Sequence, residues 1–355
     1  MPKQVYKKAL LLILFSMVLM GARCNGESKV ASDPPPYEVL LPIPRGEKIL
    51  YAHQEVAGYE INIRSMRPDG SEKKDLLKIS KTAGPFVALS PDEKRIAFDV
   101  WDPSGDVTIE YPDGQTTGFG MNWSHLFLLE EGPNQQLRGR QITGLKEKNI
   151  GDSPNVWSRD GEVLFFTHIG NLRVENVGRP DWAPYDIYEM RYDPPEIWAI
   201  SKEGTNPRKI TNGQIASISP DGTTLAVFRV EQGGYNYGTF LMNTDGSNER
   251  LLRKEAVACQ WFPDGVRLVC LTWLGWGDML LINTNGELIK QLTTGEKVAL
   301  PLAVSPDGES IVYHQNTYNN KESLYKMRVD GSSDPVLLAD EGAANRHSVW
   351  FWPPQ

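Results

Sequence analysis

Three histidines stand at matched places in the chain. His53 and His168 each fall eight residues after a turn position, Arg45 and Asp160, and His314 falls seven after Asp307. Imidazole binds first-row metals readily, so three such rings brought together would make a metal centre. Two segments, 101–123 and 169–190, carry a different chemistry. They hold Trp101, Tyr111, Phe119, Trp123, Trp182, Tyr185 and Tyr188, with Asp102, Asp106, Asp181 and Asp186 among them. Rings beside carboxylates suit a sugar, a peptide or a protein surface, and rigid aromatic anchors are typical interface hot spots.

For such groups to meet, a regular scaffold must carry them, and one is legible as a repeated phrase. The stretch 216–228 reads as an apolar strand, the turn Ser219-Pro220-Asp221-Gly222 and a second apolar strand. Pro220 presets φ for a type I turn, Asp221 tolerates the next position, and Gly222 supplies the positive φ that returns the chain to antiparallel pairing. The reading is a three-residue loop with a bulge at the glycine. The phrase returns as Phe262-Pro263-Asp264-Gly265 and Ser305-Pro306-Asp307-Gly308, and in looser form as Ser90-Pro91-Asp92-Glu93 and Ser158-Arg159-Asp160-Gly161. The intervals between the turn aspartates are 68, 61, 43 and 43 residues, so the base period is 43.

A second phrase falls between the turns, as Asp245-Gly246-Ser247, Asn285-Gly286 and Asp330-Gly331-Ser332. Each period therefore holds four strands, which is one propeller blade. The chain is expected to be all-β, a six-bladed β-propeller over 37–355 built of four-stranded antiparallel blades. The first blade turns at Pro44-Arg45-Gly46 and again at Pro68-Asp69-Gly70-Ser71. Ser348–Pro353 looks like the first strand of a further repeat without its turn, and is read as completing the first blade, which closes the ring and removes an exposed edge. The run 37–41 competes for that slot.

The Ser-Pro-Asp-Gly phrase with its following Leu225-Ala226-Val227-Phe228 strand, and the Asp-Gly-Ser phrase before an ending such as Leu251-Leu252, resemble the WD-like repeats of TolB-type six-bladed β-propellers. The likeness covers nearly the whole chain after its first 36 residues. What it implies is a fold rather than an activity, because the same repeat occurs in periplasmic scaffolds, in propeller domains of prolyl-oligopeptidase-like enzymes and in some lyases. The three histidines also resemble the arrangement of metal-dependent pectate-degrading propeller lyases.

In a four-stranded blade the turns joining strands one to two and three to four lie at one end, and the two-to-three connection lies at the other. The excess residues of blades two and three fall in two-to-three connections, so both insertions share one face. Loops on a rigid scaffold carry function disproportionately, and long insertions call for a functional reading first. Blades four and five add Tyr235, Tyr237 and Trp276 at the same place. The expected binding residues are Trp101, Trp123, Trp182, Tyr185, Tyr235 and Trp276; the competing reading is that the rings merely cover open blade ends. His314 is one residue out of phase, which turns it to the other side of its strand. The histidines are accordingly read as polar strand ends, with a metal-dependent polysaccharide lyase or hydrolase using His53, His168 and His314 as the alternative.

Cys259 and Cys270 flank the Pro263-Asp264-Gly265 turn. A three-residue loop sets Cys259 opposite Val269, so the two cysteines are expected to be small apolar core residues without a disulfide. No nucleophile elbow, phosphate loop or H-E-x-x-H pair is present, and the Asp-Gly turns lack calcium-loop spacing, so they are read as structural and no cofactor is expected.

The formal charge is −8, and the first 23 residues contribute four cations and no acid, leaving −12 for the remainder. That acidity, without a basic stripe, argues against nucleic acid. Residues 1–23 read as an export signal: Lys3, Lys7 and Lys8, an apolar run from Ala9 to Met20, then Gly21 and Ala22. The run is short for a membrane span. Cys24 follows, and the segment resembles a bacterial lipoprotein signal in which that cysteine is lipidated, although Arg23 stands where a small residue is usual. Residues 24–36 read as a stiff, proline-ended tether. The whole describes an exported, monomeric, non-enzymatic scaffold of the cell envelope, periplasmic or held to a membrane only through Cys24, that binds a protein, peptide or glycan.

Overall fold

The computed structural model describes residues 36–351 except 56–59, 81–85, 103–105, 121–122, 135, 145–148, 182, 231–236, 273–276, 295–297, 317–321 and 343. Its regular elements are β-strands. The chain runs β1 (Tyr37–Val39), β2 (Lys48–Gln54), β3 (Glu60–Met66) and β4 (Lys74–Ser80), then β5 (Val87–Leu89) and β6 (Arg95–Asp102). A separate hairpin, β7 (Val107–Glu110) and β8 (Thr116–Phe119), precedes β9 (Trp123–Glu131) and β10 (Leu137–Gln141). After β11 (Gly151–Trp157) and β12 (Val163–Ile169) a second hairpin, β13 (Arg173–Gly178) and β14 (Ile187–Arg191), leads to β15 (Glu196–Ser201) and β16 (Arg208–Asn212).

The pattern then becomes regular. It continues through β17 (Gln214–Ile218), β18 (Thr224–Val230), β19 (Tyr237–Asn243) and β20 (Arg250–Lys254), and then β21 (Val257–Trp261), β22 (Arg267–Leu271), β23 (Met279–Asn283) and β24 (Leu288–Gln291). The last strands are β25 (Val298–Val304), β26 (Ser310–Asn316), β27 (Glu322–Arg328), β28 (Val336–Ala339) and β29 (Ala344–Phe351).

The strands pair as antiparallel blades of four: β5-β6-β9-β10, β11-β12-β15-β16, β17 to β20, β21 to β24 and β25 to β28. β29 pairs antiparallel with β2, beside β3 and β4, and β1 adds to the outer edge of β4. First strands of successive blades are neighbours: β5 beside β11, then β17, β21 and β25, with β29 touching both β25 and β5. This is a propeller of four-stranded antiparallel blades.

The core lies between blades, where the apolar face of one sheet meets the next. Leu50, Ile61, Ile63 and Leu77 pack against Val87, Ile96, Phe98 and Leu129. Phe228, Val257, Phe262, Val269 and Leu271 pack with Ile311 and Tyr313 further round. Each fully buried side chain of this size contributes about 1.5–3 kcal/mol relative to exposure.

The repeated turn is longer than the sequence reading gives it. Ser219 N–H donates to Thr224 O (2.8 Å) and Gly222 N–H to Ser219 O (2.9 Å), so four residues, not three, lie between the last paired positions. The side chains explain the extra residue. Ser219 Oγ donates to Asp221 Oδ1 (2.6 Å) and accepts from Thr224 N–H (2.9 Å), while Asp221 Oδ1 also takes the Thr223 N–H (3.0 Å). Ser90 with Asp92, Ser158 with Asp160 and Ser305 with Asp307 repeat the arrangement. At Pro91-Asp92-Glu93 the missing glycine is replaced by Glu93 at φ 58°, whose carboxylate takes Gly46 N–H (2.9 Å) and pairs with buried Lys48 (3.0 Å) across the neighbouring blade.

The cysteine expectation is corrected by the same register. Phe262 N–H donates to Arg267 O, Trp261 faces Leu268 and Gln260 faces Val269. Cys259 then stands opposite Cys270, and the two form a disulfide with Cα atoms 4.1 Å apart. One residue of register moves a side chain to the other face. Both cysteines do lie in the core as read, at 4% and 0% exposure.

Candidate functional site: the insertion lobe

Both insertions emerge where strand two of a blade hands over to strand three: β7–β8 between β6 and β9, and β13–β14 between β12 and β15. Neither is an open loop. The β7–β8 hairpin turns at Tyr111-Pro112-Asp113-Gly114, with Gly114 N–H donating to Tyr111 O (2.9 Å) and Tyr111 N–H to Gln115 O (2.8 Å). The β13–β14 hairpin pairs Arg173 with Arg191, Val174 with Met190 and Glu175 with Glu189, then bulges at Asn176 and Gly178.

The hairpins share one small core. Ile169 and Leu172 are buried in it, and Val107, Phe119, Trp123, Val174, Met190 and Tyr192 pack around them. At the tip, the Tyr111 and Tyr185 rings stack with centroids 5.1 Å apart. The Tyr185 hydroxyl hydrogen-bonds the Asp113 carboxylate, which raises the phenol pKa. Asp113 is held below the usual carboxylate range by the Gln115 N–H and by that hydroxyl. Arg173 pairs with Glu175 (2.6 Å) and Arg191 with Glu189 (2.9 Å), so the base of the β13–β14 hairpin carries mixed charge beside the apolar core.

Beneath the lobe lies a polar group that the sequence reading does not pick out. Asp152 is buried and its Oδ1 meets His168 Nδ1 at 2.7 Å, while its Oδ2 has no partner among the described residues. Asp99, opposite Leu126 in the ladder, accepts the Phe86 N–H (2.7 Å). Burial raises its carboxyl to about 8, with the Asp152 charge adding to the rise. His168 leans on Trp198 (5.0 Å) and faces Glu196 across the ladder. An imidazole oriented by a buried carboxylate can hold or pass a proton. Here the group joins β6, β11 and β12, from two of which the insertions leave. Its only sequence signal is acidic residues inside apolar strands, Asp99 between Phe98 and Val100 above all.

Of the expected binding residues, Trp101 is the last residue but one of β6, opposite Ser124 and half-buried. Trp123 packs into the lobe core, and its indole N–H is buried without a partner among the described residues. Tyr185 is at the tip. Trp182, Tyr235 and Trp276, and Cys24 with the rest of 1–35, lie outside the described residues. Tyr237 instead lies against Phe228 and hydrogen-bonds Thr272 O (3.3 Å). The histidines are engaged separately: His53 with Glu55 (2.8 Å) and His168 with Asp152, while His314 is buried in β26 opposite Leu324. Among the described residues no three His, Cys, Asp or Glu side chains converge as a metal-binding group.

Blade architecture defines the class, a β-propeller of four-stranded antiparallel blades, a fold similar to that of solved TolB structures. The particular likenesses are these. A TolB from Acinetobacter baumannii superposes with a TM-score of 0.61 at 18% identity, over 88% of this chain and 68% of that one. A chain of a nidogen/laminin complex gives 0.54 at 14% identity, over 86% and 98%. In sequence, a TolB homologue from Chlorobium luteolum is 26% identical over 133 residues, 36% of this chain and 30% of that protein, so the aligned stretch spans under a third of the relative's length. No protein-family model matches the chain.

Proposed function

We propose that this chain is an exported scaffold, a six-bladed propeller closed by its terminal strand, that holds a protein partner on the insertion lobe. The observation that carries the reading is the union of two insertions, from adjacent blades, into one hairpin lobe through Tyr111 and Tyr185. A merely decorative loop needs no shared core, whereas a preorganised aromatic tip standing above the mixed-charge base of Arg173, Glu175, Glu189 and Arg191 combines the aromatic anchors and flanking polar groups that interfaces use. A protein is favoured over a glycan because the Tyr111 and Tyr185 rings stack on each other instead of leaving those faces open to a sugar.

Ring closure is supported by the β29–β2 pairing and by β29 lying between β25 and β5. Partner binding is supported by fold relatives: one structure with this architecture comes from a nidogen/laminin complex, and TolB chains share the fold. Export rests on the signal-like residues 1–23, the tether 24–36 and the disulfide, which persists in oxidising compartments. Cys24 is then the lipid attachment point.

Two experiments test this. Mass spectrometry of the chain isolated from the envelope should show a start at Cys24 with a lipid adduct; an unmodified start elsewhere removes the anchor. Replacing 107–119 by a short glycine–serine link should abolish capture of the partner while the propeller still folds; undiminished capture removes the lobe.

A further inference from the structure

The Ser-Pro-Asp-Gly turns lie at the strand ends opposite the lobe, and in sequence they read as structural. Between the fourth and fifth blades two of them border a cavity of about 550 Å³, within the usual range of ligand sites. Its walls include Asp221, Arg250, Trp261 and Asp264, with Pro220, Pro263 and Leu241 as apolar surface.

The charges on that wall are unevenly committed. Arg250 is the lining's only cation among the described residues, and it donates to Thr284 O (2.7 Å). Asp264 is taken up by the Val266 and Arg267 N–H groups and by the Arg267 guanidinium. Asp221 differs: Oδ1 serves its turn, taking Ser219, Thr223 N–H and Thr223 Oγ1, and Oδ2 has no partner among the described residues. The Ser219 hydroxyl and Thr223 N–H hold this carboxyl below its usual range, so it is ionised at neutral pH.

Trp261 differs from its repeat equivalent as well. Trp157, at the same place in the third blade, gives its indole N–H to Ala88 O of the preceding blade (3.1 Å). Trp261 has no such anchor among the described residues. The cavity thus combines an aromatic ring with a carboxylate that has an oxygen to spare. The adjacent turn shows what that combination holds: the Arg267 guanidinium lies 4.6 Å above the Phe262 ring and pairs with Asp264. Carboxylate plus aromatic face is a recurring solution for a cation.

We propose that the cavity between the fourth and fifth blades, bounded by Asp221 and Trp261, binds an organic cation: a guanidinium or ammonium group on a short aliphatic stem. The source is a free amine or a basic side chain of a peptide. The site is independent of the lobe.

Agmatine and the blocked tripeptide acetyl-Gly-Arg-Gly-amide, titrated calorimetrically into the full chain, separate the two sources. Binding of both identifies a free-cation site, and binding of the peptide alone identifies a side-chain site; either supports the proposal. Asp221→Asn should weaken binding about tenfold, the worth of one hydrogen bond to a charged group. It keeps the Oδ1 that caps the turn, so folding is preserved. Asp160→Asn, in the equivalent turn outside this cavity, should leave affinity unchanged. Failure of both probes to bind, or equal affinity in wild type and Asp221→Asn, overturns the proposal.

Discussion

Tyr111 and Tyr185, 74 residues apart in the chain, stack at 5.1 Å with an interplanar angle of 27° and so join hairpins from two different blades. An aromatic pair contributes about 0.5–1.5 kcal/mol beyond its buried area. Losing it should let the tip open without disturbing the blades. Tyr185→Ala is expected to speed amide exchange in β7 and β8 by up to about tenfold, with β17 to β24 unchanged, whereas Tyr185→Phe, which keeps the stack and loses only the Asp113 hydrogen bond, should give a smaller effect. Equal exchange in all three proteins would show that the rings do not hold the lobe.

The Cys259–Cys270 disulfide ties positions 11 apart across one hairpin. Closing a loop that short restricts the unfolded chain by about 3 kcal/mol. Reduction, or Cys259→Ala with Cys270→Ala, should lower the free energy of unfolding by about that much in denaturant titration. Thiol labelling of the unreduced, unfolded chain should find neither cysteine.

Asp99 gives the stability a pH dependence of defined sign. Its folded pKa of about 8 lies above the ordinary carboxyl value. The folded protein therefore keeps a proton that the unfolded chain gives up above about pH 4, and this group's contribution, whole at low pH, is lost as pH rises toward 8. The slope it adds is at most about 1.4 kcal/mol per pH unit. Asp99→Asn, which retains the acceptor for Phe86 N–H, should flatten the fall in stability between about pH 5 and pH 8; an unchanged slope assigns it to other groups.

Inter-blade contact can be separated from backbone strain with two glycines. Gly286 (φ 83°) and Gly114 (φ 81°) share a left-handed conformation. A Cβ at Gly286 would overlap the Leu252 carbonyl oxygen of the preceding blade, while nothing lies within 4 Å of one at Gly114. Alanine should cost both positions about 1–2 kcal/mol in strain and Gly286 a further ~1–3 kcal/mol in displaced backbone. Thermal or denaturant unfolding of the two variants measures the difference.

The repeat made the propeller legible because turn chemistry is local: Pro, Asp and Gly state their φ preferences without knowing their neighbours. Register proved harder. Whether three or four residues fill the loop depends on Ser219 Oγ capping Thr224 N–H, a side-chain bond that composition does not reveal, and the disulfide follows from it. The insertions were legible as breaks in the 43-residue rhythm, and Tyr111-Pro112-Asp113-Gly114 carries the same turn signal as the blades, so β7–β8 could have been read as a hairpin. What no local signal gives is the meeting of distant segments. Tyr111 against Tyr185, Asp99 near Asp152, and Trp123 turned into a shared core all arise from packing between blades.

The central claim is that the partner sits on the lobe and not at the opposite strand ends. A photoreactive amino acid placed at Tyr188, on the lobe, or at Thr284, in a turn at the far end, and irradiated in the native envelope, tests it directly. Cross-linking of one protein from position 188 and not from 284 is the predicted result. Cross-linking of that protein from 284, with none from 188, would contradict it.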